Sequence, residues 1–204
     1  RSRGELTTRW LQASTGWDDL LAGIDPADYG GFNLVVGDLR DDFWAWIGNR
    51  HPEQPHLDRS SALHYRRLSP GVYGLSNAVL DTPWPKTLRL KQALSSVLAS
   101  DGDTQTSLAT ALADSETRAP SALPSTGVPA EIERALSSPF VDMAERGYGT
   151  RSSLVVGVTR QGPNWRADLS EWTHTPAAQG PHRWTPEAPR TISFQGVLAD
   201  QNGT

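Results

Sequence analysis

Cysteine is missing from all 204 residues. The chain therefore forms no disulfide, builds no zinc–thiolate site and carries no cysteine nucleophile of its own. Long apolar runs are missing too. A bilayer span takes about 18–20 apolar residues, whereas the run Leu154–Val158 is broken at Gly157 and flanked by Arg151 and Arg160. An excess of positive charge is lacking: the formal charge is −4 and the pI about 5.7. Neutralising phosphates needs a basic face, so no nucleic-acid partner is expected. The densest basic cluster, Arg59, His64, Arg66 and Arg67, reads as a strand edge blunted by charge. The five histidines form no H-x-x-x-H pair; His51 and His56 flank Pro52 and Pro55 in a loop. No calcium-type aspartate loop is present either, so neither a metal nor a cofactor is expected. An initiator methionine is also absent. A chain opening at Arg1 reads as a piece of a longer protein, with any targeting segment lying ahead of it.

What is there suits one soluble domain spanning 1–204, in which eight tryptophans enlarge the area available for burial. Ser2 and Glu5 make a capping-box pattern, with Leu6, Trp10 and Ala13 on one helical face. Thr15 is placed to cap a second short helix bearing Trp17, Leu20 and Leu21, ended by Pro26. Phe32–Val36 and Phe43–Ile47 read as a hairpin turning through Gly37–Asp42, with Asp41-Asp42 a solvated turn pair. Further strands are expected at Ser61–Leu68 and Val72–Asn77. Helices follow at Pro85–Ala99, with Leu88, Leu90, Leu94 and Leu98 supplying the apolar spacing, at Thr106–Leu112 and at Pro129–Leu136. Between the last two lies a long loop over 115–128. The clearest hairpin turns at Gln161–Asn164, and a last strand runs to Leu198. Hairpins rather than βαβ units imply an α+β fold of antiparallel sheets with helices outside.

Three stretches invite chemistry. Gly74–Ala78 half-matches the G-x-S-x-G nucleophile elbow, with His174 or His182 as a base. A Pro-rich stretch follows where the elbow needs a helix, so the alternative is a hydroxyl bonding its local backbone. Gly147–Arg151 is glycine-rich but precedes a strand, the reverse of a phosphate loop. Arg151, at the mouth of that strand, either clamps a carboxylate or oxyanion or is an ordinary surface arginine.

Taken together, "SRGEL" at Ser2–Leu6, "GFNLVVGDL" at Gly31–Leu39, "GVYGLSNAVLDTPWPK" at Gly71–Lys86, "LPSTGV" at Leu123–Val128 and "YGTRSS" at Tyr148–Ser153 resemble the NRDE family. It is also called the Transport and Golgi organisation protein 2 family. The likeness runs from Ser2 to the strand near Phe194. It implies an αββα fold like that of N-terminal-nucleophile hydrolases, two antiparallel sheets between helical layers. Family members carry an early cysteine and an Asn-Arg-Asp-Glu sequence ahead of "SRGEL". This chain has neither, which implies that the first strands are missing and that an apolar sheet face and open edges are exposed. By likeness to cysteine-type amidases, Asn77 takes the place of an oxyanion-hole asparagine and Arg151 that of a cleft arginine. Ser76, Trp84, Tyr148 and Thr150 would then contact the ligand, with Trp84 as a wall. Asn77 and Arg151 are expected to converge on one cleft. The resemblance implies a small acyl, lipid-like or haem ligand and a cytoplasmic setting. It leaves open whether the intact protein is a cysteine amide or thioester hydrolase, a binding protein, or a trafficking module with a vestigial cleft. This chain alone is expected to be inactive.

Overall fold

Leu6 and Trp10 recur at helical spacing, and helix α1 (Gly4–Gln12) forms there, with Leu6 wholly buried. The structure is a computed structural model that describes residues 1–12, 16–51, 61–100, 102–119, 123, 129–175 and 189–197. It is an α+β arrangement in which the paired strands are antiparallel. The described residues fall into two compact units, Arg1–Thr82 and those from Pro83 onward.

In the first unit α1 and α2 (Trp17–Ala22) precede a sheet ordered β1 (Asn33–Asp38), β2 (Phe43–Gly48), β3 (His64–Arg67). Val36 stands opposite Ala45, and Ile47 opposite Tyr65. Because successive side chains alternate faces, Leu34, Val36, Ala45 and Ile47 join Leu6, Leu20, Ile24, Tyr29 and Phe32 in the core. Asn33, Val35, Trp44, Trp46 and Arg66 share the other face. Asn49 is buried yet satisfied: its Oδ1 accepts from the Phe32 amide at 2.8 Å, and its Nδ2 donates to the Pro26 and Tyr29 carbonyls.

The second unit holds α3 (Pro85–Leu98), α4 (Thr104–Leu112), α5 (Ala130–Ala135), a short ribbon of β4 (Asp142–Met143) with β5 (Tyr148–Gly149), and a sheet. That sheet is ordered β6 (Ser152–Gln161), β7 (Asn164–Thr173), β8 (Arg190–Val197). Its hairpin turns on Gly162-Pro163, with Gly162 at φ +63, the glycine-first arrangement of a II′ turn. One face carries Ser170, which accepts from Gln105 of α4. The opposite face aligns Leu154, Val156 and Val158 of β6 with Phe194 and Ile192 of β8, and these five are 42–51% exposed.

Several local expectations change. The Glu5 carboxylate does not close a capping box; it takes Arg1, Arg9 and Tyr29, while the Glu5 amide donates to the Ser2 carbonyl. Val72–Asn77 is not a strand, because its polar groups bond within a loop described below. On α3 the buried positions are Thr87 and Val97, and Leu88 and Leu98 face outward, 53% and 68% exposed. Helix α4 starts earlier than Thr106, because Asp103 caps it by accepting from the Gln105 and Thr106 amides. Ala13, Thr15, His56, Arg59 and His182, and "LPSTGV" after Leu123, lie outside the described residues.

Candidate functional site

The stretch that reads as a strand is instead a clasped loop. The Gly74 amide donates to Asp81 Oδ1 at 2.9 Å, and the Asp81 amide donates to the Gly74 carbonyl at 2.7 Å. This pair closes the loop at both ends. Asp81 sits at φ +61, in the left-handed region where aspartate is tolerated better than most side chains. The Thr82 hydroxyl and amide both donate to the Val79 carbonyl. Arg66 of β3 reaches Asp81 Oδ2 at 3.2 Å and lies over the Tyr73 ring at 5.2 Å. From the sheet, Asn33 Nδ2 donates to the Ala78 carbonyl at 2.7 Å, and its Oδ1 accepts from the Trp46 indole at 3.0 Å.

At the crest of this loop the Ser76 hydroxyl donates to Asn77 Oδ1 at 3.0 Å. The bond settles which end of the amide is engaged. The oxygen is held by Ser76, while Asn77 is exposed and nothing among the described residues accepts from its Nδ2. The Ser76 hydroxyl is spent on its neighbour rather than on a histidine.

Arg151 sits in the second unit at the start of β6, and its neighbours are fixed on two sides. The Thr150 amide donates to the Val141 carbonyl, and the Val141 amide donates back to Thr150 Oγ1, each at 2.9 Å. The His174 amide donates to the Arg151 carbonyl at 2.8 Å. Beneath it the buried His174 ring pairs through Nε2 with buried Ser153 Oγ at 3.1 Å and stands edge-on to Phe140. Burial holds His174 below the ordinary imidazole range, so the neutral ring is the folded form. The His174 Nε2 is thus engaged by Ser153 within its own unit. The Arg151 side chain and the Tyr148 ring on β5 are both exposed.

Trp84 opens α3 and is almost wholly buried, with Lys86 Nζ 5.1 Å from its ring centre. Burial lowers the Lys86 pKa. Ser76 and Asn77 therefore belong to the first unit, and Trp84, Tyr148, Thr150 and Arg151 to the second. Sequence reasoning missed Asn33, Asp81 and the Ser153–His174 pair. Asn33 left one signal, a lone amide directly before the apolar run Leu34–Val36. Among the described residues no cluster of three or more His, Asp or Glu groups could hold a metal ion. Nor is any described helix long and apolar enough to cross a membrane.

Residues 1–173 match the family described as Transport and Golgi organisation 2. The human protein called Transport and Golgi organization protein 2 homolog is 31% identical over 84% of this chain and 65% of its own length. The cattle homolog is 31% identical over 79% of the chain and 59% of its own length. The mouse Transport and Golgi organization 2 homolog is 29% identical over the same shares, 79% and 59%. The chain thus spans a little under two thirds of the length of these curated relatives.

Proposed function

The chain belongs to the Transport and Golgi organisation 2 family, and from that premise we propose that it binds a small acyl or lipid-like molecule through its polar head. The observation that carries the reading is the Ser76–Asn77 bond. A side-chain amide whose oxygen is already engaged, on a loop clasped by Asp81, offers its N–H₂ group as a fixed donor. Such a donor stabilises a carbonyl oxygen or oxyanion without reorganising. Arg151, in the second unit, is a separate candidate for the same chemistry, an exposed guanidinium of the kind that pairs with a carboxylate or phosphate. Tyr148 and Thr150, beside Arg151, offer a ring and a hydroxyl there, whereas Trp84, 1% exposed, packs inside its own unit and is not an open wall.

Titration calorimetry with dodecanoyl-CoA tests this reading. Asn77→Ala and Arg151→Ala are each expected to weaken binding about tenfold, the value of one charge-assisted hydrogen bond. The double variant reports whether both groups serve one ligand: a loss smaller than the product of the single losses means that they do. Unchanged affinity in both single variants would remove the proposal. The same fixed donor also suits acyl transfer, with the amide as an oxyanion donor. That second reading requires a nucleophile from beyond these residues, since the chain has no cysteine. Turnover of acyl-CoA by a longer family protein, abolished when its early cysteine is replaced by alanine, would support it.

A further inference from the structure

We infer that Asn33 is the positioning residue for Asn77. The inference rests on the reading of Asn77 as the ligand-facing donor, but its geometry stands within the first unit alone. Asn33 joins two groups that cannot exchange roles. The Trp46 indole N–H only donates, so it takes Asn33 Oδ1 at 3.0 Å; the Ala78 carbonyl only accepts, so it takes Asn33 Nδ2 at 2.7 Å. The amide therefore has one orientation. Ala78 is 2% exposed, so water does not replace Asn33 as the donor to its carbonyl, and losing that donor would leave a buried acceptor unpaired. Ala78 directly follows Asn77, so the sheet grips the loop at the residue beside the one that meets the ligand.

The sheet is built to allow this grip. A Cβ at Gly48 would stand 2.8 Å from the Trp46 ring and 3.1 Å from Asn33 Oδ1. Only glycine lets the indole lie across that position and reach Asn33. The relay runs from Gly48 through Trp46 and Asn33 to Ala78, while the Ser76 hydroxyl orients the Asn77 side chain from the other side. Clasp and relay differ: Asp81 closes the loop and takes Arg66 of β3 at its far end, and Asn33 ties the crest to β1. Without Asn33 the loop would keep its shape and its Arg66 tie, and its crest would lose its anchor.

The test uses the ¹⁵N-labelled 204-residue chain and the variants Asn33→Asp and Trp46→Phe. Asn33→Asp keeps the acceptor for Trp46 but removes the donor and sets a carboxylate against the Ala78 carbonyl. The readout is the side-chain N–H₂ pair of Asn77, assigned by its disappearance in Asn77→Ala. In Asn33→Asp this pair is expected to shift and broaden, while the Gly74 and Asp81 amide signals of the clasp stay in place. Dodecanoyl-CoA affinity should fall at least fivefold. An Asn77 pair left at its original shift in Asn33→Asp overturns the inference, whatever the affinity. If Asn33→Asp does not fold, Trp46→Phe carries the same readout, because it leaves the Asn33 amide free to turn, and an unmoved pair there also overturns it. Unchanged affinity in Asn77→Ala refutes the binding proposal instead, and the resonance test still judges the positioning.

Discussion

At the scale of single residues, buried amides and imidazoles do most of the fixing, and each makes a measurable claim. Asn49 engages an N–H and two carbonyls from the segment leading into β1. Asn49→Ala leaves these groups buried without partners and is expected to cost about 2–3 kcal/mol. The check is a lower urea midpoint with an unchanged slope. His174 gives the pH signature. Its folded pKa is depressed by burial, so the unfolded chain binds the proton more readily. Stability from the neutral ring is fully present above the unfolded pKa near 6.5. It is lost as the pH falls below that value toward the folded pKa. The wild-type melting temperature is expected to fall between pH 7 and pH 5 more than that of His174→Gln. Equal slopes would show that the ring does not contribute.

At the scale of elements, caps and turns can be tested one by one. Asp103→Ala removes the acceptor for two amides at the start of α4 and is expected to cost about 1 kcal/mol, read as lost helical circular dichroism and a lower melting point. Gly48→Ala is expected to cost about 1–3 kcal/mol by overpacking against Trp46, with a change in tryptophan emission. The same scale shows what the amino-acid order discloses. The hairpins at Asn33–Gly48 and Ser152–Thr173 were legible because strand alternation and turn glycines are local signals. The loop at Gly71–Thr82 was not, because it is set partly by side chains far away in sequence. Asn33 lies 45 residues from Ala78, and Arg66 lies 15 from Asp81. Its valine, tyrosine and leucine content mimics a strand, while residues that hold it as a loop belong to the β1–β3 sheet. For the candidate site, motif likeness selected Asn77 and Arg151. It carried no sign of the Ser76 bond that orients Asn77 or of the Ser153–His174 pair beneath Arg151.

At the scale of the whole molecule, the second unit presents Leu154, Val156, Val158, Ile192 and Phe194 on one sheet face, each 42–51% exposed. Contiguous apolar area of this kind favours association and dye binding. Val156→Lys, at the centre of the β6 row, is expected to lower anilinonaphthalene-sulfonate fluorescence and reduce concentration-dependent light scattering while leaving the circular dichroism unchanged. No change in either signal would mean that this face is covered in solution. The division into units also has a temporal side. The first unit draws its described residues from the unbroken segment Arg1–Thr82, whereas the second gathers its own from Pro83 to Val197. On a ribosome, the β1–β3 sheet, its helices and the clasped loop all leave the exit tunnel while α3 is still inside it. The Asn77 crest can thus reach its final form while the strand bearing Arg151 is still untranslated. Protease resistance of ribosome-stalled nascent chains should therefore rise in two steps, the earlier one soon after Thr82 leaves the exit tunnel.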